Sequence, residues 1–220
     1  MILSDTTIFE RVVRGELVIN PFVDHSVRHH DGNPVISYGL GPAGYDSRVQ
    51  PRWEVFKMPV LHRAVENPHE RQFLQRAGVE VGPLTAESYP DPRAILDPKN
   101  FNPEYVQVHE SNELVLPPKH FALAVTLELY GIPNDVKAVV MAKSTYARLG
   151  LFVNTTPIQP GFKGHVVIEV YNSTDIPMLL RADEGFVEFT FHQLDRPTGK
   201  SYGDGQGVYH GQTKLQHSKV

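Results

Sequence analysis

The chain has 220 residues, 40% of them hydrophobic and 21% charged, with a net charge of −4 when its 11 histidines are neutral, and no cysteine. This is the composition of a soluble globular protein. Its apolar runs fall short of the ~18 residues that suggest a membrane span, and it lacks the basic stripe with which proteins grip a nucleic-acid backbone. The missing cysteine excludes disulfides, thiolate zinc sites, iron–sulfur clusters, a Cys nucleophile and the H-x-E…P-C-x-x-C signature of zinc nucleobase deaminases. The first residues carry Asp5 and Glu10 with neither a basic nor an apolar leader region, so no secretory signal is expected and the cytoplasm is the expected compartment.

Ser4–Asp5 can cap a short helix that carries Ile8, Phe9, Val12 and Val13 on one side and ends near Gly15, with Asn20–Pro21 as its stop. Residues 28–34 are polar and turn-like. The glycine-rich stretch 36–46 precedes an extended segment at Trp53–Met58. Residues 62–96 differ in character: His62–Ala77 has helical composition interrupted by Pro68, and a proline-rich run follows. This region reads as an insertion or lid.

Beyond Phe101 the pattern is short and regular. Phe121–Glu128, Val136–Met141, His165–Tyr171, Met178–Arg181 and Phe186–Phe191 are strand candidates separated by Gly, Pro and Asn clusters. Strands at this spacing argue a β-barrel or sandwich. Thr198–Gly207 is rich in glycine and polar residues and reads as a mobile arm.

The strand His165–Tyr171 is the most informative. Side chains alternate faces, so Val166, Ile168 and Val170 should enter the core while Val167, Glu169 and Tyr171 share the other face. A carboxylate in the middle of an apolar strand is either a solvent-facing or Arg-paired glutamate, or a general acid/base held rigidly with its pKa raised by partial burial. Lys143-Ser-Thr-Tyr-Ala-Arg-Leu-Gly150 follows a strand and gathers cations and hydroxyls at a strand-to-helix junction. It suits an anionic phosphate, with a solvated amphipathic turn as the plainer alternative. It is not a P-loop, since G-x-x-x-x-G-K-[ST] is absent. His29–His30 are adjacent and no H-E-x-x-H occurs, so no protein-bound metal is expected. The aromatic and amide groups of Tyr202–Gln212 suit a flap ordering over a ligand, with disorder as the alternative.

Together these segments resemble the dCTP deaminase family of the trimeric dUTPase-like superfamily, in the branch carrying K-S-T-Y-A-R. The matching stretches are Ile36-Ser-Tyr-Gly, Gly44-Tyr-Asp-Ser-Arg48, Asp97-Pro-Lys-Asn-Phe101, Lys143–Gly150, Val153-Asn-Thr-Thr-Pro157, Gly164–Glu169, Asn172-Ser-Thr, Asp183-Glu-Gly185, Ser201-Tyr202 and Tyr209-His-Gly-Gln212. The resemblance implies a mainly β fold, a distorted barrel or jelly roll with few short helices. It implies one domain over 1–220 with an insertion at about 62–96 and a C-terminal flap at about 198–220.

The implied activity is hydrolysis of dCTP to dUTP and ammonia without zinc. Glu169, Ser144 and Arg148 would be catalytic, with Glu169 moving protons. Substrate would be bound by Lys143, Ser144, Thr145, Tyr146, Ala147, Arg148, Val167, Ile168, Glu169, Glu188, Tyr202 and Gln212. Mg²⁺ would arrive on the triphosphate, and sites would lie between subunits of a homotrimer, with no nucleic-acid polymer or membrane as partner. Three positions depart from the family: Glu188 where Gln is usual, Val208 where Lys is usual, and Gln159 where dUTP-cleaving members hold Asp. The first two weaken complementarity to phosphate, and Gln159 cannot act as a base. The other readings are a dUTP or other dNTP pyrophosphatase, and a catalytically silent nucleotide-binding regulator.

Overall fold

A computed structural model describes residues 1–57, 96–204 and 207–217. In chain order the elements are α1 (Asp5–Val13), β1 (Val18–Asn20), β2 (Ser26–His30), β3 (Asn33–Gly41), β4 (Gly44–Ser47), β5 (Arg52–Phe56), β6 (Val106–Glu110), β7 (Glu113–Leu116), β8 (Phe121–Gly131), β9 (Val136–Ala142), α2 (Ser144–Ala147), β10 (Leu151–Val153), β11 (Lys163–Asn172), β12 (Met178–Arg181) and β13 (Val187–Gln193). The chain forms two compact units, Met1–Val55 with Val108–Gln216, and Phe56–Gln107 with His217–Val220. The stretch expected as an insertion lies outside the described residues except for Leu96.

In the larger unit, one sheet runs β10–β11–β8–β5, with β1 also pairing β8. A second runs β2–β3–β4–β13–β9, and β7 pairs β12 separately. Alternation explains how the sheets meet. Val166, Ile168 and Val170 of β11 and Val187, Phe189 and Phe191 of β13 are buried, and Tyr130 of the first sheet stacks on Phe189 of the second at 4.1 Å between ring centroids. Each such side chain contributes about 1.5–3 kcal/mol on burial. The fold class is the expected one, a mainly β distorted barrel with few short helices.

β8 is where the first sheet bends. His165 of β11 faces Leu129, but Val167 faces Val125, so β8 carries extra residues between the two pairs. Within this irregularity the Thr126 hydroxyl accepts the Val166 N–H at 2.9 Å and donates to the Glu128 carbonyl at 2.7 Å. The Glu128 carboxylate is fully buried. It is held by the Ser47 hydroxyl at 2.6 Å, the Arg48 N–H at 2.9 Å and Arg48 Nε at 2.8 Å. This anchors β8 to β4.

Several elements differ from the sequence reading. The Ser4 side chain does cap α1, but Phe9 and Val13 are exposed and Ile8 alone is fully buried. The helix ends at Gly15, whose φ of 72° an L side chain adopts with strain, and β1 intervenes before Asn20–Pro21. Residues 28–34 are not merely a turn. They are the ends of β2 and β3 around a two-residue turn, Asp31 (φ 50°) and Gly32 (φ 79°), of the kind that matches strand twist. The stretch 198–207 is not wholly a free arm, since Ser201 is buried and the Tyr202 N–H donates to the Pro160 carbonyl at 2.8 Å; beyond it Gln212 and Leu215 are buried too. In the smaller unit Phe101 stacks on His217 at 4.1 Å and meets Phe56 and Tyr105 edge-on at 6.0 Å each.

Candidate active site

β9 delivers the chain to Lys143, whose N–H donates to the Phe186 carbonyl at 3.1 Å. The single turn of α2 follows. Tyr146 anchors it: its ring is buried 5.1 Å from Phe186 and its hydroxyl accepts the Arg181 N–H at 2.9 Å. With that residue pointing inward, Ser144, Thr145, Ala147 and Arg148 are exposed. The Tyr146 side chain is therefore part of the core.

Gly150 closes the turn at φ 91°, and a Cβ there would lie 2.7 Å from Thr174 Cγ2. The Ser173 hydroxyl bonds its carbonyl at 2.8 Å. β10 then pairs with the end of β11, Leu151 opposite Asn172 and Val153 opposite Val170. The K-S-T-Y-A-R turn is thus tied directly to the strand that bears Glu169.

Glu169 is half-buried on the outer face of β11, with Leu123 of β8 directly opposite. Its Oε2 is buried without a hydrogen-bond partner among the described residues, and no described cation pairs with it. The Arg-paired alternative is therefore not what the fold holds. Burial pushes its pKa up, against the pull of its own backbone N–H and of the Thr155 hydroxyl. A carboxylate moved toward neutrality can act as both base and acid. Val167 is half-buried on the same face, whereas the Ile168 side chain is fully buried in the core. At Ile168 it is therefore the backbone that lies open on this face.

Lys143 is not free. Its Nζ is paired with Asp46 of β4, each side chain only 14% exposed. Burial raises the Asp46 pKa, while Lys143 works in the opposite direction. Glu188 is exposed directly across from Asp46, between β4 and β9. Lys143 is thus committed to Asp46, and Glu188 stands beside Asp46 on the neighbouring strand.

The tail returns to β11. Gln212 and Gly164 form a parallel bridge. The His165 N–H donates to the Gln212 carbonyl at 2.8 Å, and the Gln212 side-chain amide donates to the His165 carbonyl at 3.2 Å. Gln212 is thus buried along the strand that bears Glu169, its amide N–H engaged by backbone. Tyr202 is half-buried 5.9 Å from Phe162, and its hydroxyl accepts the Tyr209 N–H at 3.2 Å. No hydrogen bond or ion pair among the described residues joins Glu169 to Ser144 or Arg148. Sequence reasoning assigned no role to Asp46, Thr155 or His165, although all three lie inside matched stretches. Their partners come from other strands, and only pairing reveals them.

The fold thus defines a class of β-barrel protein with a half-buried carboxylate mid-strand, an exposed Ser/Arg turn tied to the same strand and a tail folded beside it. The family model described as dCTP deaminase-like matches residues 2–194, and the chain belongs to that family. It is 34% identical over 208 residues to the dCTP deaminase of Rickettsia typhi, covering 94% of this chain and 93% of that one. It is 37% identical over 203 residues to the dCTP deaminase of Ectopseudomonas mendocina, covering 92% and 91%. In fold it resembles the 2′-deoxycytidine 5′-triphosphate deaminase of Agrobacterium tumefaciens, with a TM-score of 0.54 at 16% identity over 87% of this chain and 47% of that one.

Proposed function

We propose that the chain hydrolyses dCTP to dUTP and ammonia with Glu169 as the general acid/base. The observation that carries this is the buried, unpartnered Glu169 Oε2 on a strand of a dCTP deaminase-like chain. In the reaction the oxygen of water bonds to C4 of cytosine while its proton passes to Glu169 and then to N3. Glu169 next takes the hydroxyl proton of the tetrahedral intermediate and gives it to the amine. The C4–N bond breaks, ammonia leaves and the C4 carbonyl of uracil remains. A general acid/base contributes about 10²–10⁴-fold.

Ser144 and Arg148 would hold the attacking water and steady the developing charge. Lys143, Thr145 and the Ala147 backbone would bind the triphosphate, and Val167 and the Ile168 backbone would frame the base. Tyr202, Gln212 and Glu188 would complete the pocket. The exposure of Ser144 and Arg148, and their lack of any bond to Glu169 within one chain, favours sites shared between subunits of a homotrimer. Among the described residues no cluster of three or more His, Asp or Glu is placed to hold a metal. Mg²⁺ would come on the triphosphate oxygens, where it would offset their charge. No described helix is long and apolar enough to cross a membrane, and the reading is of an enzyme acting on free nucleotides in the cytoplasm.

Chromatography of products from dCTP and Mg²⁺ tests this. Ammonia with an intact triphosphate is expected. Release of pyrophosphate would point to the pyrophosphatase reading, and bound but unchanged dCTP to the silent one. Glu169→Gln should lower kcat by about 10²-fold or more.

A further inference from the structure

The strand bearing Glu169 has a neighbour in the segment that follows β10. After β10 ends at Val153, the Asn154 N–H donates to the Glu169 carbonyl at 3.0 Å, so the chain runs past Glu169 at residues 154–155. Asn154 and Thr156 are exposed, but Thr155 is half-buried. Its Oγ1, like Oε2 of Glu169, is buried without a hydrogen-bond partner among the described residues. A buried hydroxyl left unsatisfied destabilises a fold, and valine would fill the same β-branched space without that penalty.

We propose that Thr155 is the positioning residue for the proton on Glu169, its hydroxyl donating to the carboxylate when Glu169 is charged and accepting from the carboxyl once Glu169 is protonated. This rests on the acid/base reading of Glu169. A hydroxyl rotor suits the task because it is donor and acceptor in turn and needs no backbone movement. As the proton of water passes to Glu169, the hydroxyl turns from donor to acceptor; as Glu169 releases it to N3 or to the amine, the hydroxyl turns back. No proton is gained or lost at Thr155.

The surroundings leave that role open. Directly opposite on β8 is Leu123. On β11 the same face carries His165 and Tyr171, and His165 Nδ1 is within 3.0 Å of the Thr126 carbonyl. Two strands across, in the same row as Leu123, is Glu54 of β5, paired with Arg52 at 3.2 Å. No charged group is among the causes that move Glu169. Burial raises its pKa, and the Thr155 hydroxyl works against burial.

The pH profiles of kcat/KM for the full chain and its Thr155→Val, Thr155→Ala and Thr155→Ser variants test this, alongside dCTP binding and thermal unfolding. Without the hydroxyl the charged form loses a donor, so the acid limb should move to higher pH by about half to one unit. At the same time kcat should fall about tenfold, with dCTP affinity within about twofold. Thr155→Ser should restore the limb. An unmoved acid limb in Thr155→Val and Thr155→Ala, or a loss equal at every pH that Ser does not rescue, would overturn the proposal. Glu169→Gln separates the two levels. If it turns over at full rate, the acid/base reading itself falls. If it is inactive while Thr155→Val behaves as wild type, only the role of Thr155 falls.

Discussion

Burial works against the charged form of Glu169, and this has a consequence for stability. Burial raises its folded-state pKa, so the folded protein binds this proton more tightly than the unfolded chain does. The destabilisation is fully present above the folded pKa and vanishes as pH falls below the unfolded one. Glu169→Gln should therefore unfold at a higher temperature than wild type near pH 7, with the gap closing as pH falls through the carboxylate range; calorimetry at a series of pH values reads it. In the proposed acid/base role, a group that opposes folding is a usual trade between activity and stability. The charges around Lys143 make a second residue-scale case. With Asp46 already paired to Lys143, the exposed Glu188 beside it would set a carboxylate at the rim of the proposed pocket, where it would repel a bound triphosphate. Exposed charges interact by about 1 kcal/mol or less in water, so Glu188→Gln should lower KM for dCTP a few-fold and leave kcat unchanged. The gain should shrink as salt is added, which steady-state kinetics at two ionic strengths will show.

At the scale of elements, α2 is a short turn whose direction is set by its two ends, Tyr146 locked on Phe186 and Gly150 pressed against Thr174. Gly150→Ala would need a non-glycine residue at φ 91° and a Cβ 2.7 Å from Thr174 Cγ2. The strain and overpacking should together lower stability by about 2–4 kcal/mol, measured by urea unfolding, and kcat should fall because Ser144 and Arg148 shift with the turn. The same elements show what the sequence made legible. β12 matches its expected bounds, and β8, β9, β11 and β13 differ from theirs by a few residues, because alternating apolar side chains announce a sheet with one buried face. β2 and the start of β3 passed as a turn because Arg28, His29 and His30 leave no apolar alternation, although Asp31-Gly32 is a strong hairpin signal. β10 is three residues long and too short to show a period. The inward turn of Tyr146 was hidden because one helical turn has no face to read, and the pairing of Lys143 with Asp46 because the partners are far apart in the chain.

For the whole molecule, the sequence misjudged the tail because glycine-rich polar composition resembles a linker, while the backbone of Gly164–His165 offers it a place to pair. The larger question is why one chain leaves Ser144 and Arg148 exposed, and why the adjoining edge displays Phe152 at 63% and Leu149 at 58% exposure. Exposed apolar groups beside the proposed Ser144 and Arg148 site favour a site completed by a second copy. Mixing two dead variants tests this. Arg148→Ala retains a working Glu169, and Glu169→Gln retains a working Arg148. If each site takes Glu169 from one subunit and Arg148 from the next, random reassembly of equal amounts of the two should restore about one quarter of wild-type activity, since each of the two subunits has an even chance of being the right one. Light scattering should report three chains in the wild type. If the mixed protein stays inactive after unfolding and refolding together, each chain carries its own complete site, and the apolar edge serves some other contact.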